Sequence, residues 1–292
     1  MKMLHSGRTT VATLIFAAAL ATPAFAVDGV TLISQTNTTT FPIPITASGS
    51  YRLASDLNVP ASQNGIQISA SDVTLDLNGF TILCSGCVGN TGVSISAGPG
   101  GVTLTNGIIA GFGLAGVGAA SGQYGVLPSV KLDHVRLFYN GIGASTSTAL
   151  LVITECTLDN NHTAGVIADS ALRVTNSEID SNYGPGIQAF AEATISGSSI
   201  TNNNGAGIAL YSGLVTGNKI DSNTQDGVDA SQYASITNNS ILMNGGSGIG
   251  PWGAYDPGIG YGGNTIMGNR QTVQNTGGMF SMKNNVGPAG VF

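Results

Sequence analysis

Aliphatic residues and glycines return at a regular interval along the second half of the chain, with polar residues between them. A glycine followed by an aliphatic or small residue opens each unit. These glycines are Gly141, Gly165, Gly186, Gly207, Gly227 and Gly248, so successive spacings are 24, 21, 21, 20 and 21 residues. A nearly fixed period predicts a repeat architecture in which each unit stacks on its neighbours.

A series of asparagines precedes these glycines in phase. Its members are Asn140, Asn161, Asn182, Asn203, Asn223, Asn244 and Asn269. We interpret them as an inward-facing ladder, because stacked amides can hydrogen-bond from coil to coil and because Asn tolerates the left-handed turn conformation. We expect some of the repeating glycines to adopt a positive φ. Two series in phase are typical of a solenoid.

One repeat reads as three short strands separated by turns. In the repeat that begins at Gly165 the strands are residues 166–168, 172–175 and 178–180. Alternation within each strand places aliphatic residues on one side and polar residues on the other. If each strand pairs with its equivalent one coil later, three parallel sheets form, with coils about 4.8 Å apart. We therefore predict an all-β solenoid.

The chain divides into four segments. Residues 1–26 have the form of a secretory signal peptide, with Lys2 and Arg8 before an apolar run and a small-x-small end at Ala26. The apolar run, residues 11–21, is about half the roughly 20 residues that span a bilayer. We expect cleavage after Ala26 and export to the periplasm, the medium or the cell surface. The remaining segments are an N-terminal cap with an incomplete first coil (27–63), the repeats (64–270) and a C-terminal cap (271–292).

Charged residues make up only 8% of the chain, against roughly 25% in ordinary soluble domains. Hydroxyl and amide side chains must therefore supply much of the solvent-facing surface, which suits strands and turns better than helices. Lys2 and Arg8 are two of the nine basic residues, so the mature chain has seven basic and fifteen acidic residues and a net charge of −8. This balance argues against a nucleic-acid partner.

Three cysteines are present. Cys84 and Cys87 lie in the glycine-flanked stretch LCSGCVGN, where an exported protein is expected to form a local disulfide rather than a redox centre. A zinc site would need a second pair of ligands, and none is visible in the sequence. Cys156 lies in a strand-like run and is expected to be a small buried apolar residue.

Two stretches near the N-terminus carry a family resemblance. GSYRLASDLNV from Gly49 and GIQISASDVTLDLNGFTI from Gly65 are followed by units in which Asn precedes a Gly-aliphatic strand. Over residues 49–269 the chain resembles the right-handed parallel β-helix repeat proteins of the pectate lyase superfamily. The resemblance implies a right-handed parallel β-helix of about ten coils. It does not imply one activity, because lyases, hydrolases, esterases and adhesins share the fold.

The resemblance also bears on chemistry. Family hydrolases that cut polygalacturonan carry the strings Asn-Thr-Asp, Asp-Asp, Gly-His-Gly and Arg-Ile-Lys, and this sequence contains none of the four. Family lyases use Arg or Lys to remove a proton next to a carboxylate, while acidic side chains hold Ca²⁺. Lys219, Arg136 and Glu178 are the candidates for such a catalytic role here. Apart from a possible Ca²⁺, the sequence indicates no cofactor.

The outer face of the third strand carries the main candidate site. Asp159 and Asp180 occupy equivalent positions about 4.8 Å apart, where two carboxylates repel each other or share a cation such as Ca²⁺. The alternative is a solvated face of alternating charge, because Arg136, Glu178 and Lys219 fall in one column. The ligand-binding candidates are Asp159, Glu178, Asp180 and Asp221 on this face, and Trp252 and Tyr255 in an aromatic loop that Tyr261 follows.

Other polar groups are weaker candidates. The stretch LDHVR places Asp133, His134 and Arg136 close together, with two of them on one strand face and the third on the other. Asp226 and Asp229 bracket the turn at Gly227, where turn chemistry accounts for Asp226.

We predict that the protein is a monomer that recognises an extended polysaccharide, or associates with the cell surface, without turnover. The aromatic loop could stack on sugar rings, and an acidic polysaccharide would need local basic groups or bridging cations. One alternative is a polysaccharide lyase that acts on a uronate polymer by calcium-assisted β-elimination. A further alternative is a purely structural surface protein.

Overall fold

The computed structural model describes residues 29–96, 100–120, 129–252, 258–273, 279–288 and 290–291. Every regular element in these ranges is a β-strand, and the strands pair in parallel with their equivalents in the preceding and following coils. The chain forms a parallel β-solenoid of about 11 turns with a period of ~21 residues. The predicted fold class is confirmed.

Three sheets run along the solenoid. Sheet A contains β2 (Ile43–Ile45), β5 (Ile66–Ile68), β8 (Thr91–Ile95), β10 (Ala115–Ala119), β12 (Ile142–Thr146), β15 (Ala164–Ala168), β22 (Val228–Ala230), β25 (Ser247–Pro251), β28 (Gln271–Val273) and the first halves of β18 (Ile187–Ser196) and β20 (Ile208–Thr216). Strands β18 and β20 continue into sheet B, so the corner between sheets A and B is covered by unbroken strands in these two coils.

Sheet B contains β1 (Val30–Ile33), β3 (Gly49–Leu53), β6 (Val73–Asp76), β13 (Leu150–Thr154), β16 (Leu172–Thr175), β23 (Ala234–Thr237), β26 (Ile259–Gly262), β29 (Met279–Ser281), the second halves of β18 and β20, and the first halves of β9 (Val102–Ala110) and β11 (Ser129–Phe138). Sheet C contains β4 (Leu57–Val59), β7 (Thr81–Cys84), β14 (Thr157–Asp159), β17 (Glu178–Asp180), β19 (Ser199–Thr201), β21 (Lys219–Asp221), β24 (Ser240–Leu242), β27 (Thr265–Met267), β30 (Val286–Gly287) and the second halves of β9 and β11. Strand β31 (Gly290–Val291) pairs with β30 in the antiparallel sense.

Aliphatic residues stack in columns inside the solenoid. One column of sheet A runs through Val166, Ile187, Ile208, Val228 and Ile249, which are paired strand to strand and fully buried. Burying one such side chain contributes roughly 1.5–3 kcal/mol. The hydrophobic period of the sequence therefore sets the register of the coils.

The repeating glycines provide space between coils. Gly165, Gly186 and Gly207 have φ values outside the left-handed region, so the expectation of positive φ at these positions is wrong. A Cβ atom at Gly186 would lie 2.7 Å from the carbonyl oxygen of Gly207 and 2.8 Å from both Asn203 Nδ2 and Ile200 Cγ2. A side chain is excluded by the neighbouring backbone and the ladder amide.

Positive φ falls instead on the residue before each ladder asparagine. These residues are Tyr139, Asn160, Ser181, Asn202, Ser222 and Met243, with φ between 53° and 58°, and Gly268, with φ 70°. The ladder asparagines themselves are absent from the left-handed region, which corrects the conformational half of their predicted role. Hydrogen bonding is the reason that Asn recurs.

The asparagine ladder itself is confirmed, and it lies at the corner between sheets C and A. The main-chain N–H and Nδ2 of Asn182 both donate to Oδ1 of Asn203, at 3.1 and 2.9 Å, and Nδ2 also donates to the carbonyl of Leu158 at 3.0 Å. The main-chain bond to the next asparagine recurs from Asn140 to Asn269. The buried amides are thereby paired along the solenoid.

A second ladder, which sequence reasoning missed, lies at the corner between sheets B and C. Its members are Cys156, Ser177, Ser198, Asn218, Asn239, Asn264 and Asn285. Each main-chain N–H donates to the side chain one coil later. Cys156 is buried as expected, but it belongs to this polar ladder, and its thiol donates to the carbonyl of Thr154 at 3.2 Å. Burial raises the pKa of Cys156 to about 11.

Both ends of the described chain continue the sheets. Strands β2, β3 and β4 form a coil at the N-terminal end, and β28, β29 and β30 extend the three sheets at the other. A disulfide bond joins Cys84 and Cys87 at the end of β7. No helix in the described ranges is long and apolar enough to cross a membrane. The signal peptide predicted for residues 1–26 lies outside the described residues.

Candidate functional site

Sheet C places the sequence-predicted charged residues on its outer face. One column runs through Arg136, Thr157, Glu178, Ser199 and Lys219, and the adjacent column through Phe138, Asp159, Asp180, Thr201 and Asp221. Lys219 is two strands away from Glu178. The predicted register of both columns is therefore present in the structure.

Asp159 is engaged with Arg136. Arg136 Nε and Nη2 donate to Oδ1 and Oδ2 of Asp159 at 2.9 and 2.8 Å, and Asn160 Nδ2 donates to Oδ2 at 2.9 Å. Only 6% of Asp159 is exposed. The hydrogen bond to Asp159 raises the pKa of Arg136. Arg136 therefore keeps its proton more firmly, which opposes its use as a base that removes a proton from a substrate. The guanidinium also lies 4.6 Å from the centre of the Phe138 ring.

Asp180 has a different set of partners. Its carboxylate accepts hydrogen bonds from Thr201 Oγ1, Ser181 Oγ and Asn202 Nδ2, at 2.6, 2.7 and 2.8 Å. Burial alone would raise the pKa of Asp180, but these hydrogen bonds outweigh it and lower the pKa. Asp159 and Asp180 are thus neighbours whose oxygens face separate donors.

The remaining sheet C candidates form local ion pairs or stand alone. Lys219 Nζ lies 3.5 Å from Asp221 Oδ2, and Glu178 is exposed. Among the described residues no group of three or more His, Cys, Asp or Glu side chains is placed to hold a metal ion. A shared calcium ion at Asp159 and Asp180 stays a prediction.

His134 lies at the corner between sheets B and C. Its Nδ1 is 2.7 Å from Asp133 Oδ1 and its Nε2 is 2.7 Å from Glu155 Oε2. A hydrogen bond from Lys131, 2.7 Å away, is the main cause that lowers the pKa of Asp133. His134 has a positive φ of 55°. Lys131, Asp133, His134 and Glu155 thus form one cluster of close polar contacts at the surface.

The outer face of sheet A has a different character. Its outward column consists mainly of small and uncharged residues. The column runs through Gln67, Ser94, Gly118, Ser145, Ile167, Gln188, Ala209, Asp229 and Gly250. A groove of about 320 Å³ lies on the N-terminal part of this face, and Ser94, Ser145, Ala120 and Asp169 help to line it. Among the described residues of this outward column, Asp229 is the one charged residue.

Two exposed aromatic side chains and one partly buried one, Trp252, border this face where sheet A turns into sheet B. Phe190 and Tyr211 directly follow the sheet A halves of β18 and β20, and Trp252 follows β25. The ring centres of Phe190 and Trp252 lie 5.4 Å apart with the planes tilted by 48°. Phe190 is 47% exposed and Tyr211 is 44% exposed. We call these three residues the aromatic corner.

The aromatic residues predicted to bind a ligand lie in different environments. Trp252 lies in the aromatic corner, whereas Tyr261 is a buried member of the hydrophobic core and not part of an aromatic surface loop. Alternation along β26 turns its ring inward. Tyr255 lies outside the described residues.

Two aspartates lie beside the aromatic corner. Asp226 Oδ1 accepts a hydrogen bond from the main-chain N–H of Ser247 at 2.6 Å. Its Oδ2 lies over Gly250, where a Cβ atom would collide with it. Asp229, the central residue of β22, pairs with the same Gly250 in register. The two carboxylates therefore share one patch of sheet A, and we call them the acid pair.

The acid pair is electrostatically strained. Burial raises the pKa of Asp226. Burial, and then the charge of Asp226, raise the pKa of Asp229 to about 7. Oδ1 of Asp229 is buried without a hydrogen-bond partner among the described residues. Sequence reasoning assigned Asp226 to turn chemistry, and it missed the pair because Gly250, which makes room for the carboxylate, comes from the next coil.

These features define a parallel β-solenoid. The model of the right-handed β-helix region matches residues 45–193 and 140–286. The chain belongs to this right-handed β-helix family, which also confirms the resemblance found in the sequence.

Solved structures share the fold at low sequence identity. The Dettilon tailspike protein has a TM-score of 0.65 and 11% identity, over 88% of this chain and 63% of that one. A variant of the periplasmic alginate epimerase AlgG has a TM-score of 0.52 and 16% identity, over 78% and 66%. The A-module of the Azotobacter vinelandii mannuronan C-5 epimerase AlgE4 has a TM-score of 0.52 and 13% identity, over 87% and 89%.

The chain spans less than two thirds of the tailspike and AlgG structures. No curated protein sequence gives a significant match. At these identities the likeness shows the fold alone.

Proposed function

We propose that the protein binds an extended polysaccharide along the outer face of sheet A. The aromatic corner is the observation that carries this proposal. Exposed apolar patches on a protein surface often mark binding sites. Aromatic rings offer large, flat and rigid apolar surfaces, onto which the C–H face of a sugar ring can stack.

The dimensions of the face suit a polymer. Sheet A contains eleven strands, listed above, and parallel strands lie about 4.8 Å apart, so the face extends about 50 Å along the solenoid axis. Small outward residues such as Ser94, Gly118 and Ser145 leave the backbone accessible over several coils. Sheet C offers no comparable surface, because Arg136 and Asp159 are held by each other.

The comparisons support a polysaccharide ligand. Two of the structural neighbours are named for the epimerisation of alginate or mannuronan, which are polysaccharides. The AlgG neighbour is described as periplasmic, which agrees with the export expected from residues 1–26. Because the identities are low, these names support the ligand class and not a particular reaction.

Affinity measurements on purified protein test this function. A panel of soluble polysaccharides should include at least one that retards the protein in affinity electrophoresis. Replacing Phe190 and Trp252 together with Ala should weaken that binding by about tenfold or more, which corresponds to ~1.4 kcal/mol. Tyr183→Ala is the matched control, because Tyr183 is also an exposed aromatic residue (59%) but lies at the corner between sheets C and A.

Equal loss of affinity in the control and the aromatic-corner variant, or no retention by any polymer, contradicts the proposal. The same incubations also test turnover. Release of unsaturated ends from a uronate polymer would show that the protein is a lyase and does not merely bind the polymer.

A further inference from the structure

We infer that the polysaccharide recognised by sheet A is uncharged, and that polymers of uronic acids are excluded from this face. The inference rests on the proposed function and names its ligand class. The few charges of the chain are distributed unevenly over the three faces.

Basic residues lie away from sheet A. After residue 26 the sequence contains seven Lys and Arg residues, and all of them fall in the described ranges. Arg52, Lys131 and Arg173 are on sheet B, and Arg136 and Lys219 are on sheet C. Lys283 follows β29, and Arg270 precedes β28 at the corner between sheets C and A. No Lys or Arg occupies a sheet A strand in the described chain.

Apart from Arg270, the described charged residues on and beside sheet A are carboxylates. Asp229 lies on β22 and Asp226 in the turn before it, and Asp169 and Glu192 lie at the corner with sheet B that carries Phe190 and Tyr211. Two like charges a few ångströms apart repel each other, and more strongly near the protein surface than in bulk water. Like-charge juxtaposition is a common means by which binding surfaces reject wrong partners. A polyanion laid along sheet A would meet negative charge without a compensating cation.

The acid pair also favours ligands that donate hydrogen bonds. Among the described residues Oδ1 of Asp229 has no hydrogen-bond partner, while Asp229 as a whole is only partly buried. A sugar hydroxyl that contacts this carboxyl group can donate a hydrogen bond to it. A uronate at the same place would add a negative charge beside Asp226 and Asp229. Hydroxyl-rich, uncharged sugars therefore fit the site.

One matched pair of polymers separates charge from shape. Polygalacturonate and fully methyl-esterified polygalacturonate have the same backbone, and they can be compared beside a neutral mannan, a neutral glucan and alginate in affinity electrophoresis at low salt. We expect every polymer that binds to be uncharged, with at least tenfold weaker binding of its charged counterpart. Binding of the neutral polymer should not change between low and high salt, because no ion pairs are formed.

The double variant Asp226→Asn, Asp229→Asn should reduce the ratio of the affinity for the neutral polymer to the affinity for its charged counterpart. Asp221→Asn on sheet C is the control and should leave the discrimination unchanged. Equal or tighter binding of polygalacturonate or alginate by the wild type, with or without calcium, would overturn the inference. Failure of every polymer to bind, or binding that is indifferent to the Phe190 and Trp252 replacement, would instead contradict the proposed function itself.

Discussion

At the scale of single residues, Asp229 couples the binding face to pH. Its pKa in the folded protein is about 7, because it is buried and lies near Asp226, whereas an unfolded aspartate titrates near 3.9. A raised pKa means that the native state holds the proton more tightly than the unfolded state. The resulting stabilisation is complete below the unfolded pKa and is lost as the pH rises through about 7.

Wild-type protein should therefore lose stability between pH 5 and pH 8 relative to Asp229→Asn. Urea denaturation at several pH values measures this difference in the free energy of unfolding. Glu192→Gln, a change at an exposed carboxylate of the neighbouring corner, should follow the wild type. If the free energies of unfolding of the wild type and of Asp229→Asn change with pH in parallel, the pKa of Asp229 is not raised in the folded protein.

Residue identity was predictable where the same side chain makes the same contacts in successive coils. The ladder asparagines recur because a buried amide needs a partner above and below, so their spacing is visible in the sequence. The left-handed residues before them were not predictable, since Tyr139, Ser181 and Met243 share no chemistry. The function of Gly250 was equally hidden, because the group that needs its space, Asp226, belongs to another coil.

At the scale of structural elements, the asparagine ladder connects neighbouring coils. Asn203 accepts from Asn182 and donates to Asn223 Oδ1 and to the Ile179 carbonyl. Asn203→Ala leaves these buried groups unpaired and should lower the free energy of unfolding by roughly 1–3 kcal/mol. Asn204→Ala, at the exposed neighbouring position, is the control and should change it little. Equal urea midpoints for the two variants would show that the ladder does not stabilise the solenoid.

The second ladder shows why one element escaped sequence reasoning. The column begins with Cys156, Ser177 and Ser198 and continues through Asn218 and Asn239. A thiol, a hydroxyl and an amide fill the same position, so no single residue type repeats along it. A search by spacing alone, around 21 residues, would have found the column, whereas a search for one amino acid could not.

At the scale of the whole molecule, the period predicted the solenoid but not its functional face. The sequence predicted a site on sheet C, because charges are rare in this sequence and several of them share the columns of sheet C. The structure shows that Arg136 and Asp159, and Lys219 and Asp221, satisfy each other there. Sheet A has few charged residues, and its aromatic corner forms only when distant coils bring Phe190 and Trp252 together.

Intrinsic fluorescence tests the assignment of sheet A as the binding face most directly. Trp252 is the only tryptophan in the sequence and lies in the aromatic corner, so its emission reports on this face alone. Titration with a polysaccharide that the protein retains should change the emission saturably, with the same midpoint as the affinity measurement. A polymer that binds by affinity electrophoresis while the Trp252 emission stays constant up to saturation would place the ligand on another face and contradict the account.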